Sequence, residues 1–175
     1  MNWTELLHTE VRSTYAVIEG LLDFVDDGDL GWKPATGDNW MTLGQLLRHL
    51  AGGCGAAFRA FVLGDWGLPD GRDMNELAGE EHLPPAEKLP SVASVAEARE
   101  LLAKDRAAAL EAMERTSEDR LASESAPAPW DKSEMVLGRR LLQIIEHEKQ
   151  HKGQLFCYLK LLGKPVGTAN LWGTP

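Results

Sequence analysis

His147 and His151 stand four residues apart in the stretch IIEHEKQHKGQL, residues 144–155. On a helix that spacing sets both imidazoles on one face, with Cβ atoms about 5–6 Å apart. Two such rings can take two corners of one metal ion at nitrogen–metal distances of about 2.0–2.1 Å. With Glu148 between them the letters read H-E-x-x-H, the pattern that zinc proteases carry on a helix. Such a protease needs a third ligand, usually downstream. The segment after His151, KGQLFCYLKLLGKPVGTANLWGTP, holds no His, Asp or Glu, and the metzincin continuation is absent. The protease reading fails on ligand count, and a third ligand has to come from upstream.

Upstream stand His8 near the start of the chain, His49 in LGQLLRHLAGG, and His82 in a proline-flanked loop. His49 sits among Leu46, Leu47 and Leu50, where a histidine is more often a core residue satisfied by one hydrogen bond. A histidine pair on another helix shifts that balance, because bundles build metal sites from side chains on facing helices. The pair itself could also arise by chance, with Glu148 and Lys152 as a solvated i,i+4 ion pair. Against chance, Ile144, Leu155, Tyr158 and Leu162 run along the histidine face. The pair is therefore expected to point into the bundle, where unpaired imidazoles are costly.

The elements that must position these residues follow from the spacing of apolar residues. A first helix is predicted from about Trp3 to Asp26, with Leu7, Val11, Tyr15, Ile18, Leu22 and Val25 three or four apart and Asn2 as its cap, with Glu5. A second is predicted from Thr42 to Leu63, opened by the T-x-x-Q capping box of Thr42 and Gln45. Ser94 and Glu97 open a third in the same arrangement, running to about Arg115. The fourth runs from about Val136 to Leu162 and stops at Gly163, with Pro165 just beyond. Alternating strands and internal repeats are absent. The connection from Gly64 to Ala93 is long enough to hide a short helix around Met74 to Gly79 and to cross the length of a bundle, so helices two and three need not be antiparallel neighbours. The expected architecture is all-α, a four-helix bundle, in one domain spanning residues 1–175.

Composition excludes several classes. The chain is 43% hydrophobic and 26% charged, with a net charge of −9, a surface that repels phosphate backbones. Arg139-Arg140 and Lys149 with Lys152 are too few for a basic patch, so nucleic acid is not expected as a partner. No secretory signal or membrane span is evident. The 2 cysteines, Cys54 and Cys157, make no disulfide framework, and a reduced, cytoplasmic protein is expected.

LGQLLRHLAGG around His49, the approach GWKPATGDNWMTLGQLLRHL, and IIEHEKQHKGQLFCYLKLLGKP with its H-x-x-x-H-x-G-Q-L run together resemble the DinB/YfiT-like putative metalloenzymes. The resemblance extends from the first helix to Pro165. It implies a four-helix bundle of unusual helix order and a divalent metal held by His49, His147 and His151. It also implies a homodimer, and relatives that are transferases or isomerases using bacillithiol or mycothiol. The family's name reflects DNA-damage induction rather than DNA binding. On this reading Glu148 is a coincidental neighbour of the two-histidine clip.

Three neutral imidazoles leave a position open for water or substrate, and an open divalent ion lowers the pKa of a bound water or thiol. The expected function is a metal-dependent thiol S-transferase acting on small electrophiles such as epoxides, alkyl halides or quinone-like compounds. A hydrolase is the second enzymatic reading. It needs Glu148 as base, yet one residue is about 100° around a helix, and Glu148 reads instead as solvated. The non-enzymatic alternative is a dimeric stress or binding protein with a structural or vestigial three-histidine site. Imidazole suits zinc, nickel, copper and iron alike, with zinc or nickel expected. Gln154 either supports a ligand or is an ordinary helical glutamine. Cys54 and Cys157, about 140° and 240° around the helix from the nearest histidines, read as small packing residues. The Gly52-Gly53-x-Gly55 run marks a close helix contact or room beside a metal. The tryptophans are expected mainly to fasten loops onto the bundle, some lining a pocket mouth or a dimer contact.

Overall fold

The computed structural model describes residues 2–67, 84–131 and 133–173. Its helices are α1 (Trp3–Leu22), α2 (Leu43–Leu50), α3 (Cys54–Leu63), α4 (Val95–Glu114), α5 (Glu118–Ser123), α6 (Leu137–Leu161) and α7 (Thr168–Trp172). Among the described residues there are no strands, only the isolated bridges Ser125 with Val136 and Ala128 with Asp131. The all-α expectation holds. The short helix expected around Met74 to Gly79 lies outside the described residues.

The helix starts follow the side chains that satisfy their free amides. Asn2 Oδ1 accepts from Glu5 N at 2.9 Å. Thr42 and Gln45 form the reciprocal box, with Gln45 N donating to Thr42 Oγ1 at 3.2 Å and Thr42 N donating to Gln45 Oε1 at 2.8 Å. Ser94 Oγ accepts from Glu97 N at 3.1 Å, but Glu97 reaches back to Ala93 N rather than to Ser94. At the far end of α6, Gly163 has φ 75°, the left-handed conformation that a terminating glycine adopts without strain. The first helix stops at Leu22, short of Asp26, and the chain passes into a single 3-10 turn at Asp27–Asp29.

The long second helix breaks in two, α2 and α3, around Gly52 and Gly53. A Cβ at Gly53 would lie 2.7 Å from Glu148 Oε1 on α6, and one at Gly55 would lie 2.2 Å from Asp105 O on α4. These glycines let α3 sit directly against both partners, the close contact anticipated for the glycine run. Gly53 offers α3 no side-chain cap. Asp105 of α4 supplies one instead, its Oδ2 accepting from Gly55 N at 3.0 Å and from the Tyr15 hydroxyl. α3 packs chiefly on α4, so the second and third helical segments are neighbours, a point that the long connection left open.

The core runs between α1, α4 and α6 and under α2 and α3, built from residues such as Leu7, Val11, Ile18, Leu46, Phe58, Leu102, Leu141 and Leu155. Arg140, counted by sequence among surface cations, is 0% exposed. Its guanidinium donates to Ala126 O at 3.0 Å, Asp131 Oδ2 at 2.7 Å and Gln143 Oε1 at 2.6 Å. It thereby ties the proline-containing loop after α5 to the start of α6. No helix among the described residues is long and apolar enough to cross a membrane.

Candidate metal centre

α2 and α6 pack together and bring His49 opposite His147 and His151. The three rings offer nitrogens that all lie within 4.8 Å of one another. His49 Nε2 and His147 Nε2 are 3.0 Å apart. Two donors at about 2.0–2.1 Å from a common ion, subtending roughly 90–110°, stand about 3 Å apart, so the pair is already at ligating separation. The rings meet edge to face, with centroids 4.5 Å apart for His151 with each of its neighbours.

His49 and His147 are held neutral. Partial burial, then the neighbouring His151 and His147, depress the His49 pKa to about 4. Although its side chain is exposed on one side, partial desolvation by the packed rings, and then His151, also lower that of His147. A neutral imidazole presents a lone pair, the form that a metal requires.

A chain of hydrogen bonds sets the tautomer of His151. The Tyr158 hydroxyl donates to the backbone Met41 O at 3.0 Å, and so accepts from Gln154 Nε2 at 3.0 Å. That leaves Gln154 Oε1 facing His151 Nδ1 at 2.9 Å. Because the amide oxygen can only accept, Nδ1 carries the proton and Nε2 keeps its lone pair for a metal. Trp32 and Trp40 pack edge-on against Tyr158, with centroids 5.1 and 6.3 Å away. The GWKPATGDNW loop thus braces the chain that orients a histidine. Of the two roles open to Gln154 in the sequence, the supporting one is realised.

Two sequence expectations are overturned here. The histidines do not point into the core: His147 is exposed, and His49 and His151 are half-buried, so the cluster sits at the bundle's edge, open on one side. Glu148 is not solvated. It is 1% exposed, both its carboxyl oxygens lack a hydrogen-bond partner among the described residues, and Lys152 donates instead to Leu171 O at 2.9 Å. One step of about 100° beyond His147 carries Glu148 to the core side of α6, against Gly53. Burial, with Asp105 nearby, pushes its carboxyl pKa well up.

His8 lies half-buried on α1, outside the cluster, and His82 falls outside the described residues. Cys54 is buried, as expected of a packing residue, whereas Cys157 is exposed. Sequence reasoning missed Asp105, 7% exposed on α4. The signal was present, since Asp105 lies three residues after Leu102 and four before Ala109, on that helix's apolar stripe. It also missed Arg48. Arg48 and His49 both line a cavity of about 240 Å3 with Gln45, Gly52, Gly53 and Leu89.

Comparison with known proteins gives a consistent result. The model of the DinB superfamily matches residues 10–155, a span containing all three histidines. No curated protein sequence matches the chain. Among solved structures it is similar to a DinB-like protein from Bacillus cereus, at 20% identity and a TM-score of 0.60, covering 94% of this chain and 93% of that one. At that identity the likeness speaks for the fold.

Proposed function

The chain belongs to the DinB superfamily, and from that premise we propose that it is a metal-dependent S-transferase. It would form a sulfur–carbon bond between a low-molecular-weight thiol, of bacillithiol or mycothiol type, which gives up its S–H proton, and a small electrophile: halide leaves an alkyl halide, the ring C–O bond of an epoxide breaks, or a quinone-like ring adds the thiol and takes up a proton. The family commonly binds metal, and this chain carries a three-histidine cluster. His49, His147 and His151 are the proposed ligands of one divalent ion, zinc or nickel.

The observation that carries the reading is the cluster's combination of preparation and access. His49 and His147 are held neutral, Gln154 fixes the tautomer of His151, and His147 faces solvent. A closed structural site would add a fourth protein ligand, and no fourth His, Cys, Asp or Glu joins the group among the described residues. A divalent ion bound there would lower the pKa of an approaching thiol so that the thiolate forms near neutral pH. The residues of the 240 Å3 cavity beside His49 would receive the rest of the molecule. Glu148, turned toward Gly53, is poorly placed as the base that the hydrolase alternative requires. The proposal takes the protein as cytoplasmic, homodimeric and engaged in a stress response, in keeping with the family's DNA-damage naming.

The test starts with metal content, measured by elemental analysis on wild type and on His49→Ala, His147→Ala and His151→Ala. About one equivalent of a transition metal in wild type, lost in each variant with helical circular dichroism intact, supports the site. Consumption of bacillithiol or mycothiol with 1-chloro-2,4-dinitrobenzene by the loaded protein then supports the transferase. Metal-free preparations throughout would end the metal reading, and loaded protein inert with both thiols would end the transferase reading. Sedimentation equilibrium decides the dimer.

A further inference from the structure

Arg48 occupies an unusual place. It is half-buried on α2, and its side chain folds along the helix over Gly52. A Cβ added at Gly52 would lie 2.5 Å from Arg48 Nη1. Glycine there lets the guanidinium lie across the backbone at the end of α2. Among the described residues Arg48 has no hydrogen-bond or ion-pair partner, and neither has Lys104.

Two cavities meet at this guanidinium. The 240 Å3 cavity also contains His49. A second, of about 360 Å3, lies between the α2–α3 break and α4 and is lined by Arg48, Arg59, Lys104 and Trp66. Gly52 borders both. Among the described residues two acids line the larger cavity, and both are engaged. Asp65 pairs with Arg59, while Asp105 accepts from Tyr15 and the α3 amides. Among the described residues, what remains uncompensated is the charge of Arg48 and Lys104. In a chain of net charge −9, a concave surface with two cations that have no partner among the described residues concentrates anions locally. A guanidinium in addition presents a planar fork suited to a carboxylate.

We propose that Arg48, supported by Lys104, forms an anion-recognition subsite that binds a carboxylate of the small molecule whose reacting end lies at the histidines. This rests on the transferase reading for the identity of that reacting end, and it narrows the substrate class to acidic thiols. Arg48 selects the substrate through the shared cavity, and Gly52 keeps its guanidinium in place.

The experiment uses cobalt(II)-loaded full-length protein titrated with mercaptosuccinate and, separately, with its dimethyl ester, following the thiolate-to-cobalt absorption in the near ultraviolet. The acid is expected to bind about tenfold more tightly than the ester, the scale of one charge-assisted hydrogen-bonded pair. Arg48→Ala should abolish that preference, Arg48→Lys should retain part of it, and Lys104→Ala should reduce it by less. Gly52→Ala, which displaces the guanidinium while keeping its charge, should also reduce it. Equal affinity for acid and ester in wild type, or a preference that survives in Arg48→Ala, overturns the subsite and leaves the thiol reading standing. If neither thiol alters the cobalt spectrum, the thiol reading falls instead. Calorimetry with succinate alone then decides the subsite: binding lost in Arg48→Ala keeps it, and no binding overturns it.

Discussion

His147 and Glu148 are adjacent in sequence and lie in opposite worlds. His147 faces solvent, with its Nε2 3.0 Å from that of His49. Glu148 is 1% exposed, its carboxyl group without a hydrogen-bond partner among the described residues and turned toward Gly53. One face of α6 gathers polar groups from α2 into a cluster that an ion can complete. The other presses an acid into a core that offers it nothing. The contrast teaches that H-E-x-x-H is a statement about helical spacing, and that each letter's chemistry is set by what packs against its side.

If the outer face is a metal centre, removing one of its ligands should have the largest effect. His147→Ala is expected to lower metal affinity by well over the 10–100-fold typical of outer-shell changes, with the thermal transition of the apo protein little altered because the side chain is exposed. Competition with a chromophoric chelator gives the affinity. A change below about tenfold would remove His147 from the site and break the comparison. Gln154→Leu is the next step down. It leaves all three imidazoles but frees His151 Nδ1, and a loss of about 10–100-fold is expected. Unchanged affinity would mean that the hydrogen bond to Gln154 does not organise the centre.

The inner face should respond in stability rather than in metal. Glu148→Met replaces an unpartnered buried carboxyl with an apolar side chain of similar size. It should stabilise the protein by about 1–3 kcal/mol, raising Tm by roughly 2–12 °C for a chain of this length, while metal content stays the same. Calorimetry beside elemental analysis checks both. A variant that loses its metal and gains no stability would show the two faces to be coupled.

Much of this division was legible in sequence, and the rest was hidden for identifiable reasons. The helix starts could be read because Asn2, Thr42 with Gln45, and Ser94 act on amides within a few residues of themselves. The histidine pair could be read because i,i+4 spacing is local, whereas His49 was placed with it only through a family resemblance. The glycine run just after His49 reads as an interruption of the second helix, but the full break between α2 and α3 does not. Each glycine costs about 1 kcal/mol in a helix, too little alone to end one, and the groups that require them, Glu148 and Asp105, lie far along the chain. The burial of Glu148 escaped for a related reason. The 100° step was known, but which side of His147 met the core depended on α3. Asp105 was overlooked although its place on an apolar stripe announced it.

The two faces should also titrate with opposite signs, which gives the smallest and most diagnostic effect. His49 has a folded pKa of about 4 against 6.5 unfolded. The unfolded chain therefore binds the proton more readily, and the apo protein loses stability as pH falls from 6.5 toward 4. Partial exposure screens this, leaving roughly 1 kcal/mol. Glu148 and Asp105 are shifted upward by burial. The folded state holds their protons more tightly, so their contribution is present at low pH and declines as pH rises above the ordinary carboxyl range. Between about pH 4.5 and 6.5 the two slopes oppose each other, and the apo wild type should show a shallow profile. Glu148→Met removes one of the opposing slopes, so its stability should climb more steeply across that window than wild type's. His49→Ala should reverse the tendency, with stability declining as pH rises. Urea titrations of the metal-free proteins at half-unit pH steps provide the comparison. Parallel profiles for all three would mean that neither buried acid nor clustered histidine titrates as its surroundings dictate.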